Sequence, residues 1–104
     1  MVREMNTAEF RSAIESGKTL VADFWAAWCG PCRMLAPVLD ELSESFADKA
    51  EFVKVNVDDN PDLSQEYGIM SIPCVMIFRG GVVVEKNVGF VPKQVMSEFI
   101  EKNV

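Results

Sequence analysis

Short apolar runs of two different periods divide the chain, and the division predicts its elements. Asn6 followed by Glu9 has the spacing of a capping box, and Phe10, Ala13 and Ile14 then share one face of a helix that Gly17 ends. Leu20-Val21-Ala22-Asp23-Phe24-Trp25-Ala26 is almost continuously apolar, the mark of a strand buried on both faces. Met34, Leu35, Val38, Leu39, Leu42 and Phe46 then recur at helical spacing. Pro37 removes one backbone donor inside that helix and is expected to kink it. From Phe52 to Val57, Val53, Val55 and Val57 alternate with Lys54 and Asn56, which reads as a second strand. Asn60-Pro61 is a cap and first-turn pair for a short helix ending at Gly68. Cys74 to Phe78 forms a third strand, turned by Arg79-Gly80-Gly81 into a second arm, Val82 to Val88. Glu85, Lys86 and Asn87 interrupt that arm and mark it as an edge strand. Pro92 starts a last helix, with Val95, Met96, Phe99 and Ile100 turned inward.

Alternating helices and strands followed by a hairpin predict an α/β architecture, a mixed sheet with helices on both faces. No repeat, low-complexity tract or linker divides residues 1–104, so they are expected to form one domain. The longest uncharged stretch, Tyr67 to Phe78, has twelve residues broken by Gly68 and Pro73, too few to span a bilayer. Ten Lys and Arg against sixteen Asp and Glu give a net charge of −6. Nucleic acid and anionic membrane are therefore not expected as partners, since both need clustered positive charge. Met1-Val2-Arg3-Glu4-Met5-Asn6 has no apolar signal core, which points to the cytoplasm.

The chemistry lies in what is scarce. There is no histidine, which excludes Ser-His-Asp and Cys-His catalysis and every His-ligated metal site. Three cysteines remain, and in a reducing compartment Cys29 and Cys32, three apart, mean redox or metal chemistry. Tetrahedral zinc needs four ligands, and one distant Cys74 cannot complete the set, so no metal is expected.

Cys29 falls where a buried strand ends and a helix begins. Free amides and the helix dipole favour a thiolate there. Lowering a thiol pKa from about 8.5 to about 7 gains only about threefold in attack rate, because nucleophilicity falls with basicity. The larger gain is a better leaving group and a more stable reduced form. Cys29 is thus expected to attack a partner disulfide, and Cys32, one turn in and more buried, to resolve the mixed disulfide. Asp23 interrupts the apolar strand, where burial raises a carboxyl pKa and suits it to accept the Cys32 proton. Lys54, on the neighbouring strand, would partly offset that burial and joins Asp23 as a candidate catalytic residue. The alternative is a purely structural acid, satisfied by Lys54 or by backbone.

These residues give the chain a likeness. It resembles thioredoxin over essentially its full length, through Val21-Ala22-Asp23-Phe24-Trp25-Ala26, Trp28-Cys29-Gly30-Pro31-Cys32 and Pro37. Lys54-Val55-Asn56-Val57-Asp58, Tyr67-Gly68-Ile69, Ile72-Pro73 and Val88-Gly89 follow in order. The resemblance implies a thioredoxin fold: about five strands, among them a possible short N-terminal strand, flanked by four helices. It implies a protein disulfide reductase that cycles Cys29 and Cys32, binds no cofactor, is recharged by a thioredoxin reductase and works as a monomer on disulfide-containing proteins. Cys29 would be the nucleophile, Cys32 the resolving thiol and Asp23 the proton acceptor. Pro73 would follow a cis bond and pack on the cysteine pair. Trp28, Gly30, Pro31, Ile72, Pro73 and Gly89 would line a docking patch, with the Ile72 backbone pairing with an extended partner segment.

Gly30-Pro31 between the cysteines is similar to the reducing end of the fold. Thioredoxins themselves lie near −270 mV and protein disulfide isomerase near −180 mV, a gap of about 4 kcal/mol. Two other readings keep parts of this picture, a binding subunit that retains only the docking surface and an electron donor dedicated to one reductase system. Cys74 stands where the family usually has Thr, and Ala27 where many members have an acid. Cys74 reads as a small inert residue opening a strand, the alternative being a third thiol close to the active pair.

Overall fold

The computed structural model describes residues 1–104. Its elements are β1 (Arg3–Glu4), α1 (Thr7–Glu15), β2 (Leu20–Trp25), α2 (Gly30–Ser45), β3 (Glu51–Asn56), α3 (Pro61–Glu66), β4 (Cys74–Arg79), β5 (Val82–Val88) and α4 (Lys93–Asn103). The strands form one five-stranded mixed sheet in the order β1-β3-β2-β4-β5. β1 and β2 run parallel to β3, while β4 is antiparallel to both β2 and β5. β2 is the central strand, and every residue from Leu20 to Phe24 is buried, which is why its sequence is apolar without alternation. β5 is an edge, as its charged residues indicated.

Each face of the sheet carries its own core. Phe10 of α1 and Leu63 of α3 pack with Leu20, Ala22, Phe24, Val53, Val55, Met76 and Phe78 on one side. Leu35, Leu39 and Leu42 of α2 and Met96 and Ile100 of α4 pack with Val21, Phe52, Val75 and Ile77 on the other. Phe10 is the hub of an aromatic cluster, with ring centroids 5.4 Å from Phe78, 5.9 Å from Phe24 and 6.0 Å from Tyr67, all edge-on. The capping box forms as the sequence indicates: the Asn6 side chain accepts from Glu9 N, and Glu9 accepts from Asn6 N. Gly17 follows the helix at φ +76°, the left-handed conformation that suits glycine.

Pro37 lies inside α2, as expected, on its exposed face. Several other positions differ from the sequence reading. Met34 and Val95 point outward, 59% and 47% exposed, because the sheet presents only a narrow stripe to each helix and the residues beside Leu35 and Met96 fall off it. α3 ends at Glu66 rather than Gly68. Asn60 occupies the cap position of α3 but makes no side-chain cap. Its carboxamide instead accepts from Thr7 N and Oγ1 at 2.9 and 2.8 Å and donates to Asn56 O at 2.9 Å. A long-range tie therefore displaces the local one. No helix is long and apolar enough to cross a membrane.

Phe10→Ala should cost about 3–5 kcal/mol, since the hub has no exposed surface through which the cavity could relax. Val95→Ala should change stability by less than about 0.5 kcal/mol. Urea unfolding of the two variants checks both values.

Candidate active site

The strand-to-helix junction builds the site. β2 ends at Trp25, and the chain turns through Ala26 to Trp28, closed by a bond from Cys29 N to Ala26 O at 3.2 Å. Cys29 is the N-cap of α2, in extended conformation at φ −88° and ψ 111°. Its Sγ accepts from Cys32 N at 3.2 Å, so a sulfur does the work usually given to a Ser or Asp oxygen. Pro31 fits the first turn, where no amide partner is lost. Cys29 and Cys32 form a disulfide, with Cα atoms 5.2 Å apart. Both residues are buried, at 4% and 3% exposure, so the expected contrast in burial between them is not seen at residue level. The closed disulfide folds both sulfurs into one small cluster with Ala26, against Trp25, Val57 and Ile72.

The loop before β4 completes the wall. The Ile72–Pro73 bond is cis, and the Ile72 carbonyl oxygen lies 3.8 Å from Cys29 Sγ. Pro73 is buried, so it forms no part of an exposed surface. Gly89 donates from its N–H to Pro73 O at 2.8 Å while at φ +95°, which ties the end of β5 to this loop in a conformation that disfavours any side chain. Trp28 is 68% exposed, and its Nε1 donates to Asp58 Oδ2 at 2.8 Å, which fixes a large apolar ring beside the disulfide. Pro31 is exposed, and Gly30, Ile72 and Gly89 are half-buried.

Asp23 and Lys54 face each other in register across β2 and β3. Asp23 is 4% exposed, and its Oδ1 has no hydrogen-bond partner. Burial pushes its carboxyl up to about 7, with the Lys54 ammonium pulling the other way. Lys54 forms no ion pair with it; its Nζ stands over the Trp25 ring, 5.1 Å from the centroid. A structural acid satisfied by its neighbour is not what the geometry shows. Cys74 is a free, buried thiol on the opposite face of the sheet, in the Phe10 and Phe24 core. Burial pushes its pKa up, which disfavours the thiolate.

The sequence reading missed Asp58 and Trp25. Asp58 is 30 positions from its partner Trp28, and no local pattern links them. Trp25 was legible in part, because it lies two residues from Asp23 and so shares its strand face.

A buried disulfide whose first cysteine caps a helix, against a cis-proline loop and following a strand that carries a buried acid, defines a thiol-disulfide oxidoreductase with protein disulfide reductase activity. Comparison with known proteins agrees. The thioredoxin family model matches residues 1–102. Thioredoxin from Alicyclobacillus acidocaldarius subsp. acidocaldarius is 50% identical over 90 residues, 86% of each chain. Thioredoxin from Staphylococcus aureus (strain Mu50) is 46% identical over 101 residues, 97% of this chain and 96% of that one. The chain belongs to the thioredoxin family.

The folded state holds the Asp23 proton up to about pH 7, whereas the unfolded chain releases it near 3.8. The folded form therefore binds more protons between those limits, and stability falls as pH rises through them. The cost is absent below the unfolded value and complete above the folded one, at roughly 4 kcal/mol. Urea unfolding of the oxidised protein should show Asp23→Asn gaining on wild type by about 2–3 kcal/mol between about pH 5 and pH 8. A gap that stays constant over that range would contradict the shift.

Proposed function

We propose that Cys29 is the attacking sulfur and Cys32 the resolving one in a cycle that reduces disulfides of partner proteins. The observation that carries this is the bond from Cys32 N to Cys29 Sγ at the head of α2. In the reduced protein the same amide and the helix N-terminus stabilise a thiolate at Cys29. That thiolate attacks one sulfur of the partner disulfide, forms a mixed disulfide and releases the other partner sulfur as a thiolate. Cys32 gives its proton to the Asp23 carboxylate and attacks Cys29 Sγ. The Cys29–Cys32 disulfide forms, the second partner thiolate leaves, and the two partner thiolates take up one proton released by Asp23 and one from solvent. Two electrons pass from this protein to its partner.

Lys54 limits the cost of ionising Asp23, so the carboxyl exchanges its proton near neutral pH. Trp28, Gly30, Pro31, Ile72 and Gly89 form the docking surface, Pro73 holds it from beneath, and the Ile72 backbone pairs with an extended partner segment. Gly30 and Pro31 keep the couple at the reducing end of the fold. A thioredoxin reductase recharges the disulfide, with no bound cofactor, and the protein works as a monomer in the cytoplasm. Its net charge of −6 opposes nucleic acid and anionic membrane as partners.

Cys29→Ser should abolish reduction of insulin disulfides with dithiothreitol as electron source, while Cys32→Ser should accumulate a mixed disulfide through Cys29. Equal turnover by Cys29→Ser and wild type would falsify the assigned nucleophile. Equilibration with glutathione should give a reduction potential below about −200 mV, toward the value near −270 mV of thioredoxins themselves.

A further inference from the structure

Arg33 stands one helical turn after Cys29, and its backbone N bonds Cys29 O at 3.2 Å. Side chains on a helix lean toward its N-terminus. That of Arg33 does so, and its Nη1 donates to Ala27 O at 2.9 Å. The guanidinium is thus anchored two residues before the nucleophile while its root lies four residues after it, so the side chain runs alongside the Cys29 turn. The anchor is a carbonyl and carries no charge, and Ala27 brings none of its own. Arg33 is exposed and takes part in no ion pair, unlike Lys93 of α4, which bonds Glu41 of α2 at 2.8 Å. A chain of net charge −6 therefore keeps an unneutralised, positionally fixed cation at the rim of its reactive disulfide.

We propose that Arg33 is a specificity-determining residue, which selects partner segments that carry a carboxylate next to the attacked cysteine. The carbonyl anchor spends one donor and leaves the rest of the guanidinium fork open to a carboxylate. Trp28, next in the chain to that anchor, is held by Asp58, whose carboxylate repels the same partner group. The selection therefore has a direction: an acid favours reaction where it faces Arg33 and not where it faces Asp58. At roughly 6 to 8 Å in water, a single charge changes association about two- to threefold, so exchanging an acid for a base changes it about five- to tenfold. Salt screens the effect.

The inference rests on Cys29 as the attacking sulfur. The experiment measures kcat/KM at low salt for disulfide-bonded peptides that carry Glu or Lys beside the cysteine, on each side in turn. The Glu-to-Lys ratio cancels any loss of folded protein. Wild type should give a ratio of about five to ten on one side. Arg33→Lys should keep its sign, and Arg33→Glu should invert it. A ratio near one on both sides, or one that Arg33→Glu leaves unchanged, overturns the assignment of Arg33 alone. Retained turnover by Cys29→Ser overturns the attacking-sulfur reading and this one with it.

Discussion

The active end of the protein depends on one hydrogen bond, from the Cys32 amide to the sulfur of Cys29 at the first cap of α2. A helix leaves its first amides without partners inside the helix, and here one of them finds a sulfur. The arrangement links folding to chemistry. The group that satisfies the helix end is also the group whose charge changes in the redox cycle. Oxidation and reduction at Cys29 therefore alter how well α2 is capped, and the helix in return favours the thiolate that reduction creates.

Holding that junction still needs the rest of the fold. β2 supplies the strand, and burial on both faces keeps it rigid. The same burial makes Asp23 costly, because its carboxylate has lost water without gaining a full partner. Lys54 lies in register with it but turns its ammonium to Trp25, so it offsets the cost without cancelling it. A carboxyl balanced in this way changes protonation near neutrality, whereas a close ion pair would hold it ionised. The stability lost at Asp23 is made up in the two cores, and the chain holds a buried titratable carboxyl where it has no histidine.

Much of this was legible in the residues, for identifiable reasons. Strands β2 to β5, the capping box and the edge character of β5 follow from periods and caps that act over a few residues. Asp23 was visible because an acid in an apolar strand breaks the pattern, and its pairing with Lys54 followed from strand order. Met34 and Val95 misled because helical spacing fixes a face only to within about one position at its margins. Asn60 misled because local cap chemistry competed with Thr7, which comes near it only when the chain is folded.

The sequence by itself determined which groups exist: a dithiol pair across Gly-Pro, one buried acid, one lysine opposite it and no imidazole. Covalent spacing and local periodicity suffice for that. Only the tertiary structure decided which of them meet. It placed Ile72 against Cys29, Asp58 under Trp28 and Lys54 over Trp25, and it sent Cys74 to the opposite face of the sheet. Those contacts join segments far apart in the chain, and their partners are set by sheet order and register, which no single stretch of residues encodes.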